Sequence, residues 1–428
     1  MSTHKFNFIT IILAVFIPGL FHIFFAYAGS DEILTWEDCV KESAKNHPDL
    51  IAAIEGVKAS EAAKSVSSSG EYPQVNAALS GGTSKSSGQS RSESYSTSLS
   101  GSQLVFDGKK TINNVKAAGE DILASKQNFR YTSSTVRQAL RIAFVDLLKA
   151  QEMTRITQEI FQIRRGSMEL ITLRYQSGLE HRGALLTAEA NLAQAQYSVN
   201  SAARDLEVAR RDLVKELGRG RWEALTVKGD FVVTDIPQDQ LDLDAMALRN
   251  PQVLQAAAKK NAAEFNLRSA YGNFAPSLSI DAGIGKSGTT FLPQNSQKNA
   301  GFTLSIPLFE GGLRDAKVSA AQAALNQLKA NEISMRDSVA AHLQQCRAAL
   351  LEAIDNVDVQ KKSLLATEER SIIAEAQYSI GTISFDSWTI IEDNLVSAKR
   401  SFLNAQAEAL LSEANWIQAK GETLEYEK

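Results

Sequence analysis

The chain has 428 residues, with 45 basic and 49 acidic side chains and a formal net charge of −4. This near balance gives no indication of a nucleic-acid partner. Two cysteines, Cys39 and Cys346, lie far apart, and no CxxC or CxxH spacing occurs. We therefore expect neither a zinc site nor another metal or cofactor. We interpret the cysteines as buried free thiols, with a disulfide as the alternative.

Residues 1–28 have the form of a signal peptide. Lys5 precedes a largely apolar run over residues 8–25, and residues 26–28 (Ala-Tyr-Ala) have the small-x-small pattern of a cleavage site. We predict cleavage before Gly29. An uncleaved anchor is the alternative, since the run is nearly long enough to span a bilayer. No second apolar run of that length follows, so the mature protein is expected either to be soluble beyond the inner membrane or to cross a membrane as strands.

An internal repeat relates the two halves of the chain at a constant offset of 203 residues. Several matched segments share this offset without a gap, which is typical of two copies of one structural unit. In chain order, the matches are 46–50 with 249–253, Pro73 with Pro276, 106–108 with 309–311, 175–178 with 378–381, and 189–192 with 392–395. We place the copies at residues 29–217 and 241–420, joined by a linker over 218–240 and followed by a tail over 421–428.

Each copy is predicted to contain a short helix, a β-hairpin and two long helices, in that order. The short helices span residues 36–65 and 241–272, with Pro48 and Pro251 at kinks or first turns. The first long helix of each copy spans 109–174 or 313–378, and heptads in the returning helices predict an antiparallel coiled coil in each copy. The heptad positions are Leu192, Val199, Leu206 and Leu213 with Ala195, Ala202 and Ala209, and Leu395, Phe402, Ala409 and Trp416 with Ala398, Ala405 and Ser412.

Alternating polar and apolar residues predict the two β-hairpins. Serines fill every second position over 94–102, while Tyr95, Thr97 and Leu99 take the other face. The remaining apolar positions are Val75, Ala77 and Leu79 in the first copy, and Leu278, Ile280, Ala282, Ile284, Phe302, Leu304, Ile306 and Leu308 in the second. This alternation, over about ten residues, is typical of membrane-barrel strands; a flexible serine-rich linker and a soluble sheet are the alternatives. In the linker, residues 222–227 and 231–233 are predicted as two further short strands.

Four strands per chain are too few to close a barrel, because known single-chain barrels begin at about eight. An open sheet in lipid would leave the hydrogen-bonding groups of its edges unsatisfied, at several kcal/mol each. If these strands meet lipid, several chains must share one barrel, and three chains would supply twelve strands. The predicted fold class is therefore mixed but mainly α: two repeats of long antiparallel coiled-coil helices, plus four strands contributed to a shared transmembrane barrel.

A glycine-rich stretch from Gly283 to Gly288 matches GxGxxG and contains Gly-Lys-Ser, but it does not predict a phosphate-binding loop. It lies where a strand enters a hairpin, and no helix follows whose N-terminus would hold a phosphate. The five histidines do not cluster in sequence, and neither an HExxH nor a GxSxG motif occurs. We find no catalytic constellation and predict that the protein is not an enzyme.

The turns between the long helices are the strongest candidates for a functional site. Each carries Tyr-x-x-Gly, with Tyr175 and Gly178 in the first turn and Tyr378 and Gly381 in the second. Helix capping explains the glycines by themselves, but the tyrosine recurs as well.

Acidic residues follow the second turn. Asp386 has no aspartate counterpart in the first copy, where Glu180, His181 and Arg182 follow the turn. In a closed assembly Asp386 would form a ring of like charge, which selects cations or gates a pore. A solvated acid at a helix N-terminus is the alternative interpretation. We include Glu392, on the same predicted helix, as a second candidate constriction residue.

These segments resemble the TolC-like outer-membrane efflux channels of Gram-negative bacteria over nearly the whole mature length. The resemblance rests on the two-fold repeat, the Asn-His-Pro-Asp-Leu and Arg-Asn-Pro-Gln-Val segments, the Phe-Asp-Gly and Phe-Glu-Gly strand ends, and the Tyr-x-x-Gly turns, in this order and spacing. It implies a homotrimer with a twelve-stranded β-barrel in the outer membrane and a twelve-helix α-barrel across the periplasm.

The resemblance also implies that the helical tips dock to a periplasmic adaptor protein and an inner-membrane pump. The adaptor-facing residues would be Tyr175, Gly178, Leu179, Tyr378, Gly381 and Thr382. The family often places aspartates at the second tip to constrict the pore. Here Asp386 lies about one position from the expected place, and an isoleucine occupies a second expected acidic site. The chain therefore looks like a divergent subfamily with Trp388 at the tip.

The predicted function is the outer-membrane duct of a tripartite efflux or type I secretion system, a passive conduit to the exterior whose energy comes from the pump. The alternative is a secreted or surface coiled-coil structural protein or adhesin. That alternative gives no reason for two amphipathic hairpins of lipid-spanning length in symmetric positions.

Overall fold

Helices make up most of the structure, and two of them, each of 67 residues, set its length at roughly 100 Å. The structure, a computed structural model, describes residues 32–88, 90–235, 237 and 241–424. The predicted signal peptide and parts of the predicted linker and tail lie outside these residues. In chain order, the elements are β1 (Glu32–Leu34), α1 (Trp36–Asn46), α2 (Pro48–Ser68), a 3₁₀ turn (Ser69–Glu71), β2 (Gln74–Ser84), β3 (Ser92–Phe106), α3 (Lys110–Gln176), α4 (Arg182–Glu216), β4 (Leu225–Val227), α5 (Leu243–Arg249), α6 (Pro251–Gly272), β5 (Ser277–Gly288), β6 (Asn295–Ser305), α7 (Leu313–Ser379) and α8 (Phe385–Lys420).

The two-fold repeat is present in the structure. Shifting the bounds of α3 by 203 residues reproduces α7 exactly at both ends, and α4 shifts onto α8 within one residue. The prediction of a single short helix at the start of each copy is wrong, because each is divided in two. His47 and Asn250 adopt extended backbone before Pro48 and Pro251, and each caps the next helix. A residue before proline is disfavoured in the helical region, and proline suits the first helical position.

The long helices pack as two antiparallel hairpins, α3 with α4 and α7 with α8. The predicted seam is confirmed, because the small residues recurring every seven positions in the returning helices are buried. These are Ala195, Ala202 and Ala209 in α4, and Ala398, Ala405 and Ser412 in α8. α3 also packs against α8, which gives the lateral order α4–α3–α8–α7. Within the described residues, no helix combines the length and the apolar character needed to cross a membrane.

The four long strands form one antiparallel sheet in the order β2-β3-β5-β6. The register aligns Ala77, Leu99 and Ile284 across three strands, so the predicted apolar positions share one face. This face is exposed in the chain; Phe302, for example, is 76% accessible. The serines share the opposite face, where the hydroxyls of Ser80 and Ser96 lie 2.7 Å apart. β6 ends at Ser305, earlier than the alternation predicted.

A small parallel sheet and a cluster of apolar side chains lie along the middle of the long helices. β4 from the linker pairs with β1, as predicted for residues 225–227. The second predicted linker strand, at 231–233, does not form, because β4 pairs with β1 and not with this segment. Phe231 and Val233 instead pack on helical cores. Cys39 and Cys346 are buried free thiols in two different clusters, so they form no disulfide with each other.

Candidate docking and constriction site at the helical tips

The two turns between the long helices share one backbone geometry. In the first, the Gly178 N–H donates to the Tyr175 carbonyl at 3.0 Å, and the next N–H donates to a carbonyl five residues back at 2.8 Å. The second turn repeats both bonds, with Gly381 donating to Tyr378 at 3.0 Å. This is the Schellman helix end, whose glycine takes a positive φ, here +73° for Gly178 and +79° for Gly381.

Each turn is closed at its far side by an N-cap. The His181 Nδ1 atom accepts from the Ala184 N–H at 3.1 Å, and the Ser384 hydroxyl accepts from the Ser387 N–H at 3.2 Å. With a cap on both sides, five residues join helices of 35 residues or more. The tips are therefore tight, defined corners rather than long loops.

The predicted adaptor-facing residues divide into an exposed group and one buried residue. Gly178, Leu179, Gly381 and Thr382 are exposed, with Leu179 at 68%. The repeat-related tyrosines differ: Tyr175 is 39% exposed and Tyr378 is 2% exposed. Tyr378 thus lies inside the tip, although its sequence motif is the same.

An aromatic cluster encloses the Tyr378 ring. Trp388 stacks on it with centroids 4.6 Å apart and planes within 10°, and Phe385 lies 6.3 Å away. The Arg174 guanidinium lies 4.9 Å from the same ring, at cation–π distance. The repeat places Arg182 and Leu185 at the positions equivalent to Phe385 and Trp388. The first tip therefore has no such stack, which explains why Tyr175 stays exposed.

The polar end of Tyr378 joins the two tips. Its hydroxyl donates to Glu180 Oε1 at 2.9 Å, and Glu180 belongs to the first turn. Arg174 Nε lies 3.9 Å from the same oxygen. Burial raises the pKa of the Tyr378 phenol above its ordinary value, and the neighbouring carboxylate adds to the rise. The hydroxyl is thus held protonated as the donor to Glu180.

A buried ion pair ties the hairpins together further up. Arg164 on α3 donates to Glu392 Oε2 on α8 at 2.6 Å, and its other terminal nitrogen contacts Asp393. Burial raises the pKa of Glu392 to about 7, and Glu375 and Asp393 raise it as well, against the opposing effect of Arg164. The loss of water around this carboxylate therefore outweighs its pairing. The predicted constriction residue Glu392 lies within the wall between the helices.

Asp386 differs from Glu392 in being exposed, in the first turn of α8. An acid at this position is stabilised by the helix dipole. In the single chain its carboxylate is accessible to solvent.

No sequence pattern marks Arg164 or Arg174 as tip residues. Both lie inside a continuous 67-residue helix, without a local motif. Arg164 pairs with Glu392, 228 residues away in sequence, and Arg174 packs on the ring of Tyr378 from the other hairpin. A cavity of about 710 Å³ lies beside the ion pair and is lined by Arg164, Tyr378, Trp388 and Glu392, among others. In the part of the chain that the structure describes, no group of three or more His, Cys, Asp or Glu side chains is placed to hold a metal ion.

A sheet with one apolar exposed face, joined to paired helical hairpins that end in capped tips, is the fold of the outer-membrane channel proteins. The chain belongs to the outer membrane efflux protein family, whose model matches residues 39–219 and 243–422. The predicted family is thereby confirmed. Such proteins are conduits of the outer membrane, which confirms the prediction that the protein is not an enzyme.

Known relatives cover most of the chain at low identity. The outer membrane efflux protein BepC of Brucella suis is 22% identical over 386 residues, covering 88% of this chain and 80% of that protein. The outer membrane protein TolC of Escherichia coli is 23% identical over 358 residues, covering 77% and 70%. The open-state crystal structure of the Neisseria gonorrhoeae MtrE outer membrane channel aligns with a TM-score of 0.79 at 19% identity, covering 91% of this chain and 89% of that one.

Proposed function

We propose that three copies of the chain form a passive duct in the outer membrane of a Gram-negative bacterium. The duct receives its cargo from an inner-membrane pump through a periplasmic adaptor, in a tripartite efflux or type I secretion system. One observation carries the proposal. The contacts that join the two repeats within the chain have symmetry-equivalent contacts that the outermost elements could make only with a second copy.

In the sheet, the two edge strands are β2 and β6. β3 pairs with β5 inside the chain, and the offset of 203 converts β3 into β6 and β5 into β2. The equivalent partner of β6 is therefore β2 of a second copy. Repeating this contact three times yields twelve strands with no open edge, and closure satisfies backbone groups that would otherwise cost several kcal/mol each in lipid.

The helices lead to the same contact. α3 packs on α8 within the chain, and the repeat converts this pair into α7 with α4. These two helices flank the order α4–α3–α8–α7 at its two ends. Three chains would then form a tube of twelve long helices continuous with the barrel.

The sheet has the dimensions and polarity to cross a bilayer. β5 has 12 residues, which at about 3.3 Å per residue and a tilt of about 40° cover roughly 30 Å. Its exposed apolar side chains, such as Ile280 and Ile284, would face lipid, and the serine face would line the lumen. We assign the long helical body, which leaves the sheet at the opposite end from the hairpin loops, to the periplasm.

At the tips, the exposed residues Tyr175, Gly178, Leu179, Gly381 and Thr382 are proposed to contact the adaptor. Tyr378 supports this surface from inside, through Trp388 and Glu180. Asp386 is proposed to form the constriction, with Glu392 acting from within the wall through Arg164.

The trimer is tested by a disulfide between chains. Gly101 pairs with Ala282 inside the chain, so the repeat places Leu304 of one copy opposite Leu79 of the next. Directly opposed strand residues lie within disulfide reach. With Cys39 and Cys346 replaced by serine, Leu79→Cys/Leu304→Cys should give a covalent trimer on a non-reducing gel of outer-membrane extracts.

The matched control is Leu79→Cys/Ala300→Cys. Ala300 is four residues from Leu304, roughly 13 Å along the strand, so this pair should remain monomeric on the same gel. A soluble periplasmic monomer, or cross-linking by both pairs, would contradict the proposed trimer. A surface fibre without an export defect on deletion would favour the structural or adhesin alternative.

Adaptor docking is tested separately at the tips. Leu179→Asp/Thr382→Asp changes two exposed side chains and should abolish export while the trimer persists in the outer membrane. Leu173→Asp is the control, since Leu173 is exposed on α3 but precedes the turn. Full export by the double variant would refute tip docking and leave the duct itself untouched.

A further inference from the structure

Two lysines interrupt the apolar face of the sheet near its hairpin loops. Lys286 follows Ile284 on the same face of β5, and Lys298 of β6 lies directly opposite Ile284. Both lysines are exposed. If the sheet spans the membrane as proposed, these two cations face lipid at the outer end of the barrel. A lysine on a lipid-facing strand is destabilising unless it lies near the interface or meets an anion.

The register makes the two lysines neighbours. Lys286 is opposite Ser296, two residues from Lys298, so the pair is diagonal on one face. Such positions lie roughly 7–8 Å apart, and the flexible stems of lysine let both ammonium groups approach a single phosphate between them.

A groove runs beside the lysines. Its volume is about 820 Å³, and the segment that joins β5 to β6 folds over one side of it. Leu99 and Ile284 form an apolar floor, Leu292 and Pro293 line the overhanging segment, and both lysines line the same groove. The groove is therefore lined by both apolar side chains and two cations.

An aromatic pair marks the same level of the sheet. Tyr95 and Phe291 meet edge to face with centroids 5.8 Å apart. Tyr95 shares the apolar face, being opposite Gly81 and Gly288. Aromatic side chains of this kind sit at the headgroup level of membrane proteins. The lysines thus lie at the depth where lipid phosphates occur.

The groove also accounts for the Gly-Lys-Ser stretch of the sequence. The structure places it in β5, where Gly283 and Gly285 lie on the serine face and Lys286 lies on the apolar face. A Cβ on Gly285 would lie 3.1 Å from the Thr97 carbonyl oxygen, so this glycine allows close strand packing rather than enclosing a nucleotide. The equivalents of Lys286 and Lys298 in the first repeat are Thr83 and Tyr95. The lysine pair therefore occurs in one repeat alone.

We propose that this groove binds an anionic phospholipid-like molecule of the outer leaflet, with its phosphate between Lys286 and Lys298 and an acyl chain along Leu99, Ile284 and Leu292. The proposal rests on the proposed function, because it needs the apolar face to contact lipid. Each trimer would hold three such lipids.

The test uses the purified full-length trimer in detergent, incubated with diphosphoryl lipid A and analysed by native mass spectrometry. Wild type should retain up to three lipids. Lys286→Gln/Lys298→Gln should weaken retention by about tenfold to thirtyfold, as expected for two lysines near an anionic surface. Lys317→Gln/Lys329→Gln, which removes two exposed lysines from α7, is the matched control and should retain lipid like wild type.

Two further arms identify the ligand. A fully dephosphorylated lipid A should bind the wild type as weakly as diphosphoryl lipid A binds the double variant. Inorganic phosphate, which lacks acyl chains, should not displace the bound lipid. Equal retention by wild type and the Lys286→Gln/Lys298→Gln variant, an equal loss in the α7 control variant, or displacement by phosphate alone would each overturn the lipid site. The same spectra report the oligomer: intact trimers without lipid refute the site only, whereas monomers refute the duct as well.

Discussion

The two helical tips have nearly the same backbone and different interiors. Both end in a Schellman glycine and restart from an N-cap. In the second tip, Tyr378 is packed between Trp388 and Arg174, whereas its repeat mate Tyr175 stays on the surface. A duplicated motif therefore preserves the shape of the corner, while the residues that follow it decide whether the corner has a core.

The asymmetry has a mechanical consequence. Tyr378 of the second hairpin donates a hydrogen bond to Glu180 of the first turn. Glu392 of the second hairpin forms an ion pair with Arg164 of α3. The first hairpin supplies Arg164, Arg174 and Glu180 to these contacts. The second hairpin supplies the aromatic core. Equivalent substitutions in the two tips should therefore change the free energy of unfolding unequally where the side chains differ. They should change it equally where only the shared backbone is involved.

The largest expected effect is at Arg164. Removing one partner of a buried ion pair leaves an uncompensated charge and costs about 3–5 kcal/mol. Arg164→Ala should therefore lower thermal stability strongly, measured by thermal unfolding of the purified protein. Arg165→Ala is the control: Arg165 is adjacent and 59% exposed at its side chain, paired with Glu169 on its own helix, and should cost about 1 kcal/mol or less. Similar losses in the two variants would show that the cross-hairpin pair is not stabilising.

The next effect is the pH dependence from Glu392. Its pKa is about 7 in the folded protein and near its ordinary value of 4.5 when unfolded. Between these values the folded state binds more protons, so stability falls as pH rises from about 4.5 to about 7. The change is on the order of 1–3 kcal/mol. Glu392→Gln should flatten this part of the unfolding profile, measured between pH 5 and pH 7.5. A profile unchanged by the substitution would place the titration elsewhere.

A smaller effect is expected from the tyrosine hydroxyls. Tyr378→Phe removes the donor to Glu180 and keeps the stacked ring, so it should cost about 1–2 kcal/mol. Tyr175→Phe changes an exposed side chain and should lie within about 0.5 kcal/mol of wild type. Thermal unfolding, with limited proteolysis at the tips, compares the two. Equal sensitivity of both tyrosines would mean that the tips are not asymmetric in solution.

The smallest difference between tips is expected at the glycines. A Cβ on Gly178 or Gly381 meets no atom within 4 Å, so strain comes from the positive φ alone. Gly178→Ala and Gly381→Ala should each cost about 1 kcal/mol, with the same shift in unfolding temperature. A much larger loss at Gly381 would show that the aromatic core also constrains the backbone of its turn.

Much of the fold was predictable because its signals are local. The heptads with buried alanines and the period-two strands depend on neighbours in sequence, the 203-residue offset is found by matching short local segments, and the structure reproduces all three. The errors lie where a distant partner intervenes. Residues 231–233 are predicted to form a strand, but β4 pairs with the distant β1. The side chain of Phe231 instead packs against an apolar cluster of the helices.

The candidate site was predictable in position but not in detail. The Tyr-x-x-Gly motif located both tips, and Gly178, Leu179, Gly381 and Thr382 are exposed there. Nothing in the motif distinguishes Tyr175 from Tyr378, because burial depends on Phe385, Trp388 and Arg174 arriving from other parts of the fold. Arg164 carries no signal within its helix, and its partner is reached only when α3 meets α8.

By itself, the amino-acid sequence determined the duplication, the order of the elements, the family and the corners at which the helices turn. Repeated patterns, helix caps and strand alternation follow from short-range sterics and hydrogen bonding, so they can be read residue by residue. The tertiary structure alone decided which tyrosine is enclosed, which acid is paired inside the wall and which lysines share a membrane face. Those outcomes depend on contacts between residues far apart in the chain, where packing and desolvation select among side chains that look equivalent in sequence.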